Sequence, residues 1–565
     1  MRYFYQNLQV LKKNIFFIFL LLLNFTVLGQ KVYLTISGAT KGETAVIDSV
    51  GYQKQHINLK SITDEGVLIL DKLNKKGYIE AVVSDTKKEN DTAFHVYCKV
   101  GLRVKSIHIN TGENHVLRTL NILKPKEDTL KLPFEAATAF LNNIVQDLEK
   151  KGYSLAKIKL INIKKYKDYL VADLAIDTGN KRTLNDIVIN GYDRFPKSHK
   201  KNINKLFKNT IFTQESIKKI HSEFQRFRFV NQNKYPEILF TKDTTKVYVY
   251  LEKSKANAFD GLIGFSNDEK SKLRFNGYVD LKLSNLLNSG EFFSLFWKSD
   301  GQQQTTFNAG LELPYIFKSP LGLKTSLQIF KQDSTFQNTK TAIELGYLFN
   351  YNTRLYLGYQ STESSDIQNQ NNLSISDYKN AFTTINFEYT ALRQEDYFIP
   401  EKTKVNIKTG AGSRDTPLNN EKQLFFELDL LQVIPINDKN VFRLRSKNFY
   451  LNINTYIINE LYRFGGINSI RGFNENSLQA NLFSSLLTEY QYLISPGLQA
   501  YTIIDYGYFN DKVTTNDGTL LGIGIGFAIA TKNGRLNIIY ANGSTREQQI
   551  KLNNSIIHIG FTTTF

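Results

Sequence analysis

The stretch Phe464-Gly-Gly-Ile-Asn-Ser-Ile-Arg-Gly-Phe473 decides how the rest of the chain is read, because no strand, helix or ordinary turn accounts for it. Two glycines, a β-branched residue and then Arg-Gly-aromatic specify a compact, irregular loop that carries one fixed cation. Everything after it alternates like membrane strands, and a cation inside a membrane structure needs an anionic partner. Two carboxylates follow: Glu489 in Leu487-Thr-Glu-Tyr-Gln-Tyr-Leu493, and Asp505 in Tyr501-Thr-Ile-Ile-Asp-Tyr-Gly-Tyr508. Alternation puts Glu489 with Gln491, and Asp505 with Ile503 and Gly507, on the face opposite Tyr490, Tyr492, Tyr506 and Tyr508. The expectation is a lumen pair joining Arg471 to Asp505, Glu489 or both.

Around this loop, residues 256–565 read as an all-β domain. Sixteen strand-like runs can be marked, from 258–267 to 551–565, and an even number of antiparallel strands closes a barrel. In Gly522-Ile-Gly-Ile-Gly526 the small residues Gly522, Gly524, Gly526, Ala528 and Ala530 share one face and Leu521, Ile523, Ile525, Phe527 and Ile529 the other. No helix follows, so the run is a strand with a lipid face and not a phosphate-binding loop. Short turns at Asn288-Ser-Gly290, Ser319-Pro320 and Asn533-Gly534 alternate with longer loops at 364–379, 392–403 and 453–478, and the longer ones are assigned to the outer side. The final strand alternates to the end, with Ile557, Ile559, Phe561, Thr563 and Phe565 on one face.

Upstream, Arg2, Lys12 and Lys13 precede an apolar run over 15–23, which predicts a signal peptide over 1–29 with cleavage before Gln30. Residues 30–255 mix helical and strand patterns and contain a repeat. Leu73-Asn-Lys-Lys-Gly-Tyr78 recurs as Leu148-Glu-Lys-Lys-Gly-Tyr153, and a third copy at Phe224-Gln-Arg-Phe-Arg-Phe229 lacks the Gly. Each copy ends an amphipathic helix, and the first helix is expected to open at Thr63-Asp64-Glu65. Strands are expected after each copy, at 94–100, 170–177 and 246–252. The modules are bounded at 30–101, 102–179 and 180–255, with short extended joins that make a semi-rigid arm.

Composition removes several function classes. With 31 Tyr and 40 Phe, aromatics make up 13% of the chain, as interfacial girdles require, while a hydrophobic fraction of 41% is too low for a helical membrane protein. The single Cys98 cannot form an intramolecular disulfide. A net charge of +18 points to an anionic neighbour or to solvated Lys-rich faces, and the basic cluster Lys197-Ser-His-Lys-Lys201 lacks the aromatics of a nucleic-acid platform. The seven His are scattered and give no metal site, and no nucleophile elbow, His-Glu-x-x-His or phosphate-binding loop is present. The chain reads as a non-enzyme with no catalytic residue, cofactor or metal.

The loop Gly465-Gly466 with Ile470-Arg471-Gly472-Phe473, Asp505-x-Gly507 and the terminal Phe561 and Phe565 together resemble the outer-membrane assembly-factor superfamily, the BamA/TamA-like proteins of bacterial surface antigen type. The resemblance implies three POTRA-like modules in the periplasm of a diderm bacterium, followed by a sixteen-stranded antiparallel transmembrane β-barrel in the outer membrane. It implies a lid loop over 453–478 whose Arg471 meets Glu489 and Asp505 beside Gly507. Phe561 and Phe565 would then form the C-terminal signal for barrel insertion. The implied function is insertion of other barrel proteins through a seam between the first and last strands. Its partners would be unfolded outer-membrane barrel clients, outer-membrane lipid and a periplasmic or inner-membrane protein held by the arm, with no nucleic acid. Two other readings stay open: a two-partner-secretion transporter that threads a soluble client through the lumen, and a passive pore or structural anchor.

Overall fold

The computed structural model describes residues 31–112, 115–120, 128–267, 273–299, 304–369, 374–393, 396, 398–532, 534–546, 549–550 and 555–565. The expected signal peptide lies outside them. The chain divides into two compact units, Met1–Arg182 and Thr183–Phe565.

The first unit holds two modules. Module 1 runs β1 (Val32–Gly38), α1 (Lys41–Val50), β2 (Gln55–His56), α2 (Leu59–Lys75), β3 (Val82–Asn90) and β4 (Ala93–Lys99). Its sheet order is β2-β1-β4-β3, with β1 parallel to β4. Helix α2 starts earlier than the sequence reading: Asn58 caps it and forms a reciprocal box with Ser61, so the polar run at 63–65 lies inside the first turns. Ile62, Ile69 and Leu73 bury one face of α2. Gly77 then ends the turn at φ +93°, and Tyr78 donates its N–H back to the Leu73 carbonyl at 3.0 Å.

Module 2 repeats the plan with β5 (Ser106–Asn110), α3 (His115–Thr119), β6 (Thr129–Pro133), α4 (Ala137–Lys150), β7 (Lys157–Lys165) and β8 (Tyr169–Asp177). The helix stop recurs, with Tyr153 donating to Leu148 at 2.9 Å.

Module 3 opens the second unit with β9 (Asp186–Asn190), α5 (Lys197–Phe207), α6 (Gln214–Phe224), β10 (Val230–Phe240) and β11 (Thr245–Lys253). Here the repeat has lost its Gly and gained aromatics. Phe227 and Phe229 enter the module core and reach Tyr351 on the barrel. His199 is fully buried between them, Tyr315 and Tyr351. Asn285 at a barrel turn donates to the Tyr192 hydroxyl at 2.8 Å. The module and barrel therefore share one aromatic joint.

The barrel strands are β12 (Ala258–Asn267), β13 (Leu273–Ser284), β14 (Phe292–Ser299), β15 (Gln304–Ile316), β16 (Leu321–Gln332), β17 (Phe336–Asn350), β18 (Thr353–Asp366) and β19 (Tyr378–Leu392). They continue as β20 (Glu401–Asp415), β21 (Asn420–Pro435) and β22 (Asn440–Asn452). After the loop carrying β23 (Tyr462–Phe464) and β24 (Leu478–Ala480), the wall resumes with β25 (Leu482–Ser495), β26 (Leu498–Asp511), β27 (Asn516–Thr531), β28 (Gly534–Ser544) and β29 (Ile556–Thr564). Excluding β23 and β24, these form one closed antiparallel barrel of sixteen strands. Ile504, Tyr506, Ile523, Ile525, Phe527, Ile557, Ile559, Phe561 and Phe565 point outward and are exposed, while Ile503, Asp505, Gly522 and Ala528 point in.

Strand parity corrects one assignment. β12 leaves module 3, so every second connection returns to the module end. The β19–β20 connection, of which Arg393, Asp396 and 398–400 are described, therefore falls at that end, and the β22–β25 connection at the opposite one. Loop length had assigned 392–403 to the outer side. Arg228 of module 3 pairs with Glu401 and fixes the true side.

Candidate functional site

The loop between β22 and β25 folds into the lumen. Its first limb is tied to the wall through Asn459, which donates to Ser364 Oγ and the Ser376 carbonyl, both at 2.8 Å. Next to it, Glu460 accepts from the fully buried Arg414 at 2.5 Å, and Arg414 also holds Glu421 at 2.9 Å. The β23–β24 hairpin then carries the motif inward, with positive φ at Gly465, Gly466 and Gly472.

Arg471 forms the centre. Its Nε and Nη2 donate to the two oxygens of Asp505 at 2.8 and 2.6 Å, and its backbone N–H adds a third bond to Asp505 at 3.0 Å. Nη1 donates to Glu489 Oε1. Arg471 is 4% exposed and Asp505 0%, so the planar fork meets the carboxylate almost free of solvent. Such a pair is held by mutual need: removing one partner strands a buried charge.

Steric room makes the approach possible. A Cβ on Gly522 would lie 2.3 Å from the Arg471 carbonyl oxygen, and one on Gly507 2.2 Å from Ile470 Cδ1. Gly472, at φ +88°, passes so close to β28 that a Cβ would sit 2.3 Å from the Asn542 carbonyl carbon. Ile470 is fully buried with Phe464, Phe483, Leu487, Phe509 and Leu520, and Phe473 packs partly against the same cluster.

The structure thus brings Ile470, Arg471, Gly472, Phe473, Glu489, Asp505 and Gly507 together. It puts Gly465 and Gly466 at the hairpin tip, against Asn474 and Glu475. Phe561, on the outer face of β29, and Phe565, just past its end, stand apart and are exposed. Sequence reasoning missed Arg443, which sits across from Glu489 on β22 and reaches the same Oε1 at 3.1 Å. Alternation along β22 could have found it, since Val441, Arg443 and Arg445 share the inward face. The Arg414–Glu460 tie was also missed. Among the described residues no cluster of His, Cys, Asp and Glu could hold a metal ion.

Residues 285–565 match the Omp85 superfamily domain. This is an Omp85 superfamily barrel. The fold is similar to CdiB from Acinetobacter baumannii, at 14% identity and a TM-score of 0.51 over 90% of this chain and 98% of that one. CdiB from Escherichia coli gives 14% identity and 0.51 over 92% and 98%. BamA from Haemophilus ducreyi lacking POTRA domains 1–3 gives 17% identity and 0.46 over 81% and 100%. No curated protein matches the chain. At these identities the likeness to the two CdiB chains is one of fold alone.

Proposed function

We propose that this Omp85 protein inserts barrel clients into the outer membrane through the seam between β12 and β29, with its modules in the periplasm. The seam carries the reading. Among the described residues, β12 and β29 are paired at Ala258↔Thr564 and Phe259↔Thr563 alone. Every other junction in the wall has between eight and fourteen paired positions. Besides the ladder, Phe565 donates its N–H to the Asn257 carbonyl at 3.1 Å, and Thr562 Oγ1 reaches Asp260 at 3.2 Å.

An unpaired strand edge in lipid costs several kcal/mol per orphaned backbone group. A client strand that pairs with β12 removes that cost whatever its side chains, so one seam serves many clients. Gly261 and Gly264 further weaken the first strand. The modules would deliver the clients, which by the same reading are unfolded outer-membrane proteins.

A disulfide tests this. The Phe565–Asn257 bond marks that pair as hydrogen-bonded, so the adjacent Ala258 and Thr564 form a close, non-hydrogen-bonded pair suited to a bridge. In a Cys98→Ser background, Ala258→Cys with Thr564→Cys should leave the barrel folded, stop client assembly in proteoliposomes and recover on reduction. Normal assembly while oxidised would overturn the seam and favour threading through the lumen.

A further inference from the structure

We propose that Phe398, Ile399, Pro400 and Glu401, just ahead of and at the start of β20, form a strap that closes the lumen from the module end, independently of the lid. The first observation is an anomaly in the wall. The lumen face of an outer-membrane barrel is normally polar, yet Val433, Val441, Ile503, Ala528, Ile539 and Ala541 all point inward and are buried, forming one apolar patch across β21, β22 and β26–β28. Phe398 and Ile399 cover that patch.

The second observation is reach. The strap leaves the wall between β19 and β20, and its far contact, Arg535 on β28, donates Nη1 to the Phe398 carbonyl at 2.8 Å. In the barrel order β20 is ninth and β28 fifteenth of sixteen, so Phe398 stands across the lumen from its own strand and not at the rim beside it.

The third is shape. Asp396 Oδ1 accepts the N–H of Phe398 at 3.0 Å and of Ile399 at 2.9 Å, and Arg393 donates its N–H to the Pro400 carbonyl at 2.8 Å. Arg393 also pairs with Asp396 at 3.2 Å. Arg393, Asp396 and Pro400 thereby hold Phe398 and Ile399 in place through local contacts.

A cavity of about 440 Å³ lies between strap and lid, bordered by Phe398 and Ile399 below and by Ile467, Asn468 and Arg471 of the lid. The two closures are therefore in series with a chamber between them, and each can leave while the other stays. This arrangement stands whether clients pass at the seam or through the lumen.

The test uses the full chain. Asn537→Cys, in a Cys98→Ser background, places one accessible thiol in the chamber, since Asn537 borders it. Labelling by a membrane-impermeant maleimide should be slow, and Phe398→Ser with Ile399→Ser should speed it at least tenfold with the lid intact. Arg535→Ala should speed it less. In planar bilayers, the strap variant and Arg471→Ala should each conduct little, and their combination should conduct at least tenfold more than either. Unchanged labelling in the strap variant overturns the proposal, as does full conductance from Arg471→Ala alone. Retained heat-modifiable gel mobility verifies that each variant is folded.

Discussion

Arg471 on the lid and Phe398 on the strap both end inside the barrel, but one is held by charge and the other by apolar contact. The lid directs its fork at Asp505 and Glu489, and all three side chains are buried. The strap rests on inward-pointing Val433, Ile503 and Ile539. The difference bears on release as well as on holding. Freed from the lid, Glu489 keeps Arg443 as a partner, whereas among the described residues Asp505 forms its ion pair with the lid alone. A strap leaving its patch exposes hydrocarbon and strands no charge.

The largest effect should come from breaking the charged anchor. Asp505→Ala should cost about 3–5 kcal/mol of stability in denaturant titrations, because the Arg471 guanidinium is left buried and unpaired. Arg471→Ala with Asp505→Ala should cost much less than the sum of the single variants. Additive losses would mean that the lid is not held this way.

A smaller loss is expected on the apolar side. Phe398→Ala should weaken strap docking by about 1.5–3 kcal/mol, the worth of burying such a side chain, and the chamber-labelling rate reads it. If stability fell as far as with Asp505→Ala, the strap would be part of the barrel core and not a separate closure.

Acid offers a perturbation aimed at neither loop. Burial among aromatic rings pushes the His199 imidazole down from 6.5 to about 3. Between those values the unfolded chain binds a proton that the folded joint does not. Stability is therefore complete above about pH 6.5, falls by about 1.4 kcal/mol per pH unit below it, and stops falling near pH 3. Hydrogen exchange of α5 against pH should show this slope, and His199→Leu should flatten it. Last, Arg228→Ala should cost less than about 1 kcal/mol, since its pair with Glu401 is half-exposed.

The same contrast explains what the sequence disclosed. A lone Arg between glycines in a membrane domain demands a carboxylate, and strand parity named both Glu489 and Asp505. Sixteen strands were legible because small and apolar residues alternate so regularly, as along 521–530. The strap was not legible, because an inward Ile503 or Ile539 looks in sequence like any lipid-facing residue. Its loop was also assigned by length to the wrong end, although counting strands from β12 would have returned it to the module side. Asn459 and Glu460 escaped for a related reason: their partners Ser364, Ser376 and Arg414 lie on distant strands, and no local spacing announces them.

The central claim is that clients meet this barrel at the β12 edge. A photo-crosslinking residue in place of Phe259, which is exposed at the seam, and another in place of Lys340, which borders a lumen cavity, place the two routes side by side. During client assembly in proteoliposomes, adducts should form from position 259 and not from position 340. Adducts from position 340 alone would contradict the account.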